Sequence, residues 1–195
     1  MAALTSPSNT SKDTTASTAS AASKAARAWQ RVHRLYAGEA NRPLRGYLVV
    51  LGTYAGLAGA LTAAGRALGV RLPQRISTGD TVRVAVATHK ASRLLAKDAV
   101  TSPLRAPFAH YEEPAGMAEL NESVRGHGAQ HAVGEMLTCP FCLSVWIATG
   151  MTAGLVAAPR ATRVVSTLLT VVAASDFLQI AYDTGKQVPG RVSGG

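Results

Sequence analysis

The apolar residues of this chain are gathered into long blocks separated by polar segments. Residues 46–65 and residues 137–159 contain no charged side chain, and residues 164–182 contain only Asp176. At about 1.5 Å per residue, blocks of roughly twenty residues can cross a hydrocarbon layer about 30 Å thick. The pattern therefore predicts three transmembrane helices.

Residues 81–100 have helical periodicity but carry a basic stripe. Arg83, Lys90, Arg93 and Lys97 fall along one side of the predicted helix. Such a stripe is costly against lipid, so the helix either crosses the membrane with its charges turned inwards or lies along the surface. We favour crossing, because a further span before residue 137 returns the chain to the side of its N-terminal segment.

The remaining segments are polar. Residues 1–24 are mainly Ser, Thr and Ala and predict a disordered tail. Residues 25–40 predict a basic interfacial helix, with aromatic side chains on one face and arginines around the other. Residues 101–136 contain several prolines and acids and predict a soluble loop, with a short helix over residues 117–124.

These elements together predict an all-α integral membrane bundle in residues 44–185, after the disordered N-terminal tail. It would have about four spans, at about residues 46–65, 80–100, 139–158 and 163–182. Arginines concentrate just before the first span, which predicts that both termini are cytoplasmic.

The net charge of +9 gives a choice between nucleic acid and an anionic membrane surface as the partner. The basic residues mostly flank the apolar blocks, and aromatic residues make up only 5% of the chain. This arrangement favours a lipid bilayer with anionic headgroups and argues against nucleic acid.

The two cysteines of the chain form the sequence Cys139-Pro140-Phe141-Cys142. Proline is favoured at the first position of a helix, so both thiols are expected at a helix N-terminus, where free N–H groups and the dipole stabilise a thiolate. Two sulfurs do not complete a tetrahedral zinc site. The nearest further ligands would be His131 and Glu135, which share a helical face with the cysteines if the helix is continuous.

Three interpretations of the dithiol stay open: reduced thiols that only pack, a zinc or copper site, and a redox pair. No other cofactor is indicated. Trp146 is interpreted as an anchoring or packing residue. Asp176 is costly within an apolar span unless it is paired, and Lys90 or Arg93 would supply the partner.

Residues 90–105, KASRLLAKDAVTSPLR, and the later Cys-Pro-Phe-Cys string resemble the bacterial membrane proteins grouped as domain of unknown function 1360. That family is marked by a basic R-x-x-R-L…D helix, a P-x-R element and a C-P-x-C-x-x-x-W entrance to a later span. The matching positions are Lys90, Arg93, Leu94, Asp98, Pro103, Arg105, Cys139, Pro140, Cys142 and Trp146. Lys90 stands where the family usually has arginine. The resemblance covers about residues 80–182. It implies a membrane fold but does not indicate any particular biochemical activity.

The sequence therefore predicts an uncharacterised multi-pass protein of the bacterial inner membrane. It favours a structural or interaction protein over an enzyme, with a cytoplasmic-face Cys-Pro-x-Cys recognition site for an unknown protein partner. The alternative is a thiol-disulfide redox enzyme, or a zinc- or copper-binding membrane protein, that uses Cys139 and Cys142.

Overall fold

The computed structural model describes residues 10–37 and 42–192 of the chain, and within them the structure is mostly helical. The α-helices are α1 (Thr10–Ala37), α2 (Leu44–Ala67), α3 (Thr78–Ala96), α4 (Ser102–Arg105), α5 (Gly128–Thr138), α6 (Pro140–Ala157) and α7 (Pro159–Val192), and a 3-10 helix lies at Ala99–Thr101. Strands β1 (Ala109–Pro114) and β2 (Leu120–Val124) form a two-stranded antiparallel sheet. The chain divides into two compact units, Met1–Leu44 and Arg45–Gly195.

In the first unit, helix α1 begins at Thr10, well before the predicted interfacial helix. Residues 10–24 are thus helical, which differs from the disorder expected there; residues 1–9 lie outside the described residues. The stretch is rich in Ala, the strongest helix former, and a helix nucleated in the following segment extends into it at little cost. Towards the end of α1, Leu35 and Tyr36 are exposed.

Three of the described helices are long and apolar enough to cross a membrane: α2, α6 and the Pro159–Gln187 part of α7. They coincide with three of the predicted spans. The fourth predicted span, residues 80–100, corresponds to α3, which does not meet the same test of length and composition because of its charged residues. Three candidate spans are therefore established, and the fourth is not confirmed.

Helix α3 packs against both α6 and α7. Its N-terminus is capped by Ser77, whose side-chain oxygen accepts a hydrogen bond from the backbone N–H of Asp80 at 3.0 Å. Small side chains dominate its buried face, which allows the neighbouring helices to approach closely. The buried residues along this face are Val84, Ala87, Thr88, Ala91, Ser92 and Ala96.

Helices α3 and α7 run in the same direction. Near their starts, Arg163 Nη2 lies 2.9 Å from Asp80 Oδ2, and further along both helices Lys90 pairs with Asp176. Between these two points, Thr170 Oγ1 donates to the backbone carbonyl of Arg83 at 3.1 Å. The two helices are therefore held in register by polar contacts at three levels.

Helix α2 runs in the same direction as α5 and α6. Tyr47, near its start, donates to Glu135 of α5, and Tyr54, two turns later, hydrogen-bonds Thr149 of α6 at 2.8 Å. The start of α2, the end of α3 and the start of α6 consequently meet at one end of the unit. We call residues 97–138, which fill this end, the head.

The head is an ordered module, although the sequence analysis treated most of it as a loop. Strands β1 and β2 form a hairpin, so the short helix predicted over residues 117–124 is wrong. Strand β2 alternates half-buried and exposed residues, a period of two that suits a strand. Gly116 and Ala118 have positive φ values of 142° and 64° and form the turn before it. The fold is thus mostly helical with a small sheet, rather than all-α.

Helix α5 packs closely on this hairpin. A Cβ atom at Gly134 would come within 2.7 Å of the Phe108 carbonyl oxygen and 2.5 Å of Val124 Cγ1. Only glycine fits at that position, so the sheet and the helix that leads to the cysteines share one small core.

Candidate functional site

The two cysteines lie at the break between α5 and α6. Cys139 has extended backbone angles (φ −107°, ψ 107°) and serves as the N-cap of α6, with Pro140 in the first turn. Its sulfur accepts a hydrogen bond from the backbone N–H of Cys142 at 3.3 Å, and the two sulfurs are 2.8 Å apart. Both thiols are free; Cys139 is half-buried and Cys142 is exposed. The predicted N-terminal placement of the dithiol is therefore present.

This arrangement allows two kinds of chemistry. The Cys139 sulfur accepts hydrogen bonds from both the N–H and the S–H of Cys142. Two thiols in contact can lose two electrons and two protons to a disulfide acceptor, or can bind a soft metal ion through two sulfurs. The geometry suits thiol-disulfide exchange and metal binding equally and does not favour one over the other.

The suggested additional ligands do not join the sulfurs. His131 Nε2 lies 3.6 Å from Glu135 Oε1, and the other oxygen of Glu135 accepts from Tyr47 at 2.5 Å. The continuous helical face that would align His131 with Cys142 is interrupted where α5 ends and Cys139 adopts an extended conformation. Among the described residues, no group of three or more His, Cys, Asp or Glu side chains is placed to hold a metal ion.

One turn below the cysteines, Trp146 packs against helix α2. Its ring and that of Tyr54 are 5.1 Å apart and inclined at 74°, an edge-to-face contact. The Tyr54 hydroxyl also reaches Thr149. Trp146 is therefore a packing residue here. Tyr47 and Tyr54 were not among the predicted site residues, although their spacing of seven places them on one face of α2 and could have indicated a shared neighbour.

Among the described residues, the most buried ion pair joins Arg105 and Glu122, whose side chains are only 1% and 5% exposed. Arg105 also donates to the backbone carbonyls of Leu95 and Asp98 and to the Thr101 hydroxyl, at 2.8 to 3.1 Å. It therefore caps the C-terminal carbonyls of α3, where a cation is favoured by the helix dipole. The same guanidinium ties β2 to α3.

A second set of charges lies beside this cap. Arg93 pairs with Glu119, and Lys90 Nζ lies 2.8 Å from Asp176 Oδ2. Asp98 follows the end of α3 and forms an isolated bridge with Glu119 through the backbone. Burial raises the pKa of the Asp98 carboxyl above its ordinary value of 3.8, although nearby Lys90 opposes the rise.

The region that contains these charges and the dithiol also matches a known protein family. The family described as protein of unknown function (DUF1360) matches residues 84–182, which is just over half of the chain. The chain belongs to this family. The DUF1360 region runs from the buried face of α3, through the head and the dithiol, to the apolar part of α7. The family resemblance of the sequence is thus confirmed.

A curated relative is "Sporulation protein YjcA" from Bacillus subtilis (strain 168). The two are 33% identical over 70 residues, which is 34% of this chain and 59% of the relative. The chain therefore covers less than two thirds of that relative's length. No solved structure matches the chain.

Within the DUF1360 region, the structure adds two residues that the sequence analysis did not select. Glu119 and Glu122 are the partners of Arg93 and Arg105. The two acids are three positions apart around the start of β2, and no local pattern connects them to arginines 26 and 17 residues earlier. Of the family's basic motif residues, Arg93 and Arg105 therefore anchor the head on α3, whereas Lys90 pairs with α7.

Proposed function

We propose that the chain is a four-span protein of the bacterial inner membrane, with α3 as the fourth crossing. The 19 residues of α3 are about 28 Å long, enough for the hydrocarbon layer. Asp80, Lys90 and Arg93 pair with α7 or with the head, and Arg83 pairs with Asp80, which lowers the cost of their burial. Helix α2 starts at the head and carries the chain away from it. Helix α3 ends at the head, so a crossing by α3 brings the chain back to the side where α2 began.

The orientation that we propose has the head and both termini on the cytoplasmic side. Arg45 lies at the start of α2, on the head side, and Arg42 precedes it in the sequence. Positively charged residues beside a span favour the cytoplasmic face. Helix α1 presents exposed Leu35 and Tyr36 beside several arginines, which suits an interfacial helix on anionic lipid headgroups.

The function that we propose is protein recognition by the head, rather than catalysis. The observation that supports it most is the burial of Arg105, whose guanidinium donates to five acceptor atoms on four residues and joins the head to α3. A rigid module at a membrane face suits a docking platform, because a preformed surface binds without an ordering cost. Since a relative is described as a sporulation protein, partners made during sporulation are the first candidates.

Site-specific photo-crosslinking in cells tests this role. Probes at Tyr111 and Glu113 of β1 should give one discrete adduct, whereas matched probes at Leu68 and Arg71, beyond the far end of α2, should not. The adduct should disappear when Glu122→Leu removes the acid that pairs with Arg105. Once the crosslinked protein is identified and purified, it should give the same adduct with the wild-type chain in vesicles. Equal adducts at both ends, or none at the head, would reject the head as the recognition surface.

The second candidate function is thiol-disulfide exchange or binding of zinc or copper at the dithiol. It is favoured by the Cys139 sulfur accepting two hydrogen bonds from Cys142. Purified protein would be equilibrated with glutathione buffers of defined potential, and separately with zinc or copper(I), and its thiols then alkylated and weighed. A reversible two-electron transition supports exchange, and stoichiometric protection by metal supports binding. Two thiols that stay reactive under all conditions leave only packing.

A further inference from the structure

In the segment that follows α3, the polar side chains are buried or half-buried and the apolar side chains are exposed. Between residues 99 and 107, the half-buried or buried side chains include all the polar ones: Thr101, Ser102 and Arg105. The exposed side chains are all apolar: Ala99, Val100, Pro103, Leu104, Ala106 and Pro107. Val100 and Leu104 are 82% and 63% exposed. We call these six exposed residues the outer face of the 99–107 segment.

The polar side chains of the segment point inwards because they complete the end of α3. Arg105 donates to Leu95 and Asp98 carbonyl oxygens, and the Thr101 hydroxyl donates to the carbonyl oxygen of Leu94. The last carbonyls of a helix otherwise need water as a partner. Here the carbonyls of Leu94 and Leu95 are satisfied from within the protein, which lowers the cost of keeping the end of α3 out of water.

The backbone of the segment is bonded internally as well. The N–H of Ala99 donates to Ala118, that of Ala106 to Ser102, and that of Phe108 to Arg105. Backbone that leaves a helix can enter the edge of a bilayer only when its polar groups find such partners. These bonds satisfy part of the segment's backbone, and the segment exposes no charged side chain.

The outer face also continues an apolar surface. It follows α3 directly, and α3 packs on α6 and α7, which are candidate spans with many exposed apolar residues. Phe141, at the start of α6 and on the same head end, is 87% exposed. The outer face itself contains none of the Trp, Tyr or Arg side chains that usually anchor protein interfaces. Its small and aliphatic side chains suit acyl chains better.

We propose that the 99–107 segment lies in the head-side interface of the bilayer, with Val100 and Leu104 inserted among the lipid acyl chains. The head would then rest on the membrane through this face and leave the β-hairpin in water. This lipid contact goes beyond protein recognition by the head and does not depend on which side of the membrane the head occupies.

Labelling of the unaltered protein by a lipid tests the contact directly. The protein would be reconstituted in phosphatidylglycerol–phosphatidylethanolamine vesicles that contain a lipid with a photoactivated carbene on its acyl chain. Tryptic cleavage after Lys97 and Arg105 yields residues 98–105, which hold four of the six outer-face residues. Cleavage after Arg125 yields the hairpin peptide, residues 106–125, which holds the hairpin and the other two, Ala106 and Pro107. We expect the 98–105 peptide to carry several-fold more lipid adduct than the hairpin peptide. Equal or lower labelling would overturn the proposal.

Fluorescence gives a second measurement at single residues. Leu104→Cys and Val100→Cys, in a background with Cys139→Ser and Cys142→Ser, would carry an environment-sensitive dye. Glu113→Cys and Met117→Cys in the hairpin are the matched controls, and Met117 is also apolar and 72% exposed. The dyes at 100 and 104 should be quenched by nitroxide lipids and protected from iodide, and the controls should show the reverse. If iodide quenches the dye at position 104 as strongly as the dye at position 113, this face lies in water. If the dye at 104 is protected from both iodide and nitroxide lipids, a protein covers the face. Either result would overturn the proposal.

Discussion

The ammonium group of Lys90 on α3 lies 2.8 Å from a carboxylate oxygen of Asp176 on α7. The lysine side chain is 15% exposed and the aspartate side chain 43%. An acid within an apolar helix is costly unless a cation neutralises it. The pair explains why α7 tolerates Asp176 and why α3 tolerates part of its basic stripe. Arg93, the other partner suggested by the sequence, instead reaches Glu119.

Breaking this pair should destabilise the protein. Asp176→Leu leaves the ammonium of Lys90 without its partner, and we expect the free energy of unfolding in mixed micelles to fall by about 2 kcal/mol or more. The double variant Lys90→Leu with Asp176→Leu should recover much of that loss, because no unpaired charge remains. A double-mutant cycle measures the coupling between the two side chains.

The chain offers a matched control for this cycle. Lys186 and Asp183 are also near each other on α7, but their atoms are 4.0 Å apart and their side chains are 61% and 46% exposed. Exposed pairs of this kind contribute little, so their coupling should be at most about 0.5 kcal/mol. A Lys90–Asp176 coupling no larger than this would show that the contact does not stabilise the helices.

The buried guanidinium of Arg105 should not be replaceable by lysine. Arg105→Lys keeps the charge, but a single ammonium cannot reach Glu122 and the carbonyls of α3 together. We expect a loss of about 2–4 kcal/mol in unfolding free energy, as for other broken buried pairs. Arg125→Lys is the control, because Arg125 is exposed and donates to the Ala106 carbonyl. It should change stability by at most about 0.5 kcal/mol. Similar losses in the two variants would contradict the anchoring role.

Asp98 should make the stability depend on pH. Burial raises the pKa of its carboxyl in the folded protein, so the folded state keeps this proton to a higher pH than the unfolded chain does. The stabilisation is present below the unfolded value and is lost as pH rises through the folded pKa. Asp98→Asn should therefore be more stable than wild type at neutral pH, with the difference shrinking towards about pH 3. Asp183→Asn, which removes an exposed carboxylate, controls for net charge. A difference that grows on acidification would exclude this explanation.

The reactivity of Cys139 should depend on Cys142. The Cys139 sulfur accepts the S–H and the N–H of Cys142. Removing the side-chain donor with Cys142→Ala should slow alkylation of Cys139 at neutral pH several-fold, whereas Cys142→Ser keeps a hydroxyl donor and most of the rate. Quenched alkylation followed by mass spectrometry measures both rates. If both variants react as wild type does, the contact between the sulfurs does not activate Cys139.

The parts of the fold that the sequence predicts well are those with local signals. The uncharged runs that became α2 and α6 need only length and composition, and Pro140 marks the start of α6 through its own backbone preference. Asp176 also predicts a partner from the sequence alone, because the free-energy cost of an unpaired carboxylate in an apolar helix does not depend on the rest of the fold.

The head could not be predicted in the same way. Its hairpin depends on packing against α5 at Gly134, and its ion pairs join residues 17 and 26 positions apart. Prolines and acids between apolar blocks are typical of a loop, so the sequence analysis described one. The burial of Arg105 becomes visible only when the end of α3 and strand β2 are side by side. Tertiary contacts therefore decide the part of the molecule where the candidate site lies.

The crossing of α3 gives the sharpest test of the proposed topology. Reporter fusions after Tyr36, within residues 66–78, within residues 110–125 and after Lys186 should read inside, outside, inside and inside. The third position decides, because α3 alone separates it from the second. Glu113, exposed on β1, offers a substituted-cysteine check that leaves the chain intact. In a background with Cys139→Ser and Cys142→Ser, Glu113→Cys should be shielded from an impermeant maleimide in whole cells and labelled after permeabilisation, whereas Leu72→Cys should be labelled in both. Labelling of both positions in whole cells would place the head outside and leave α3 on the membrane surface.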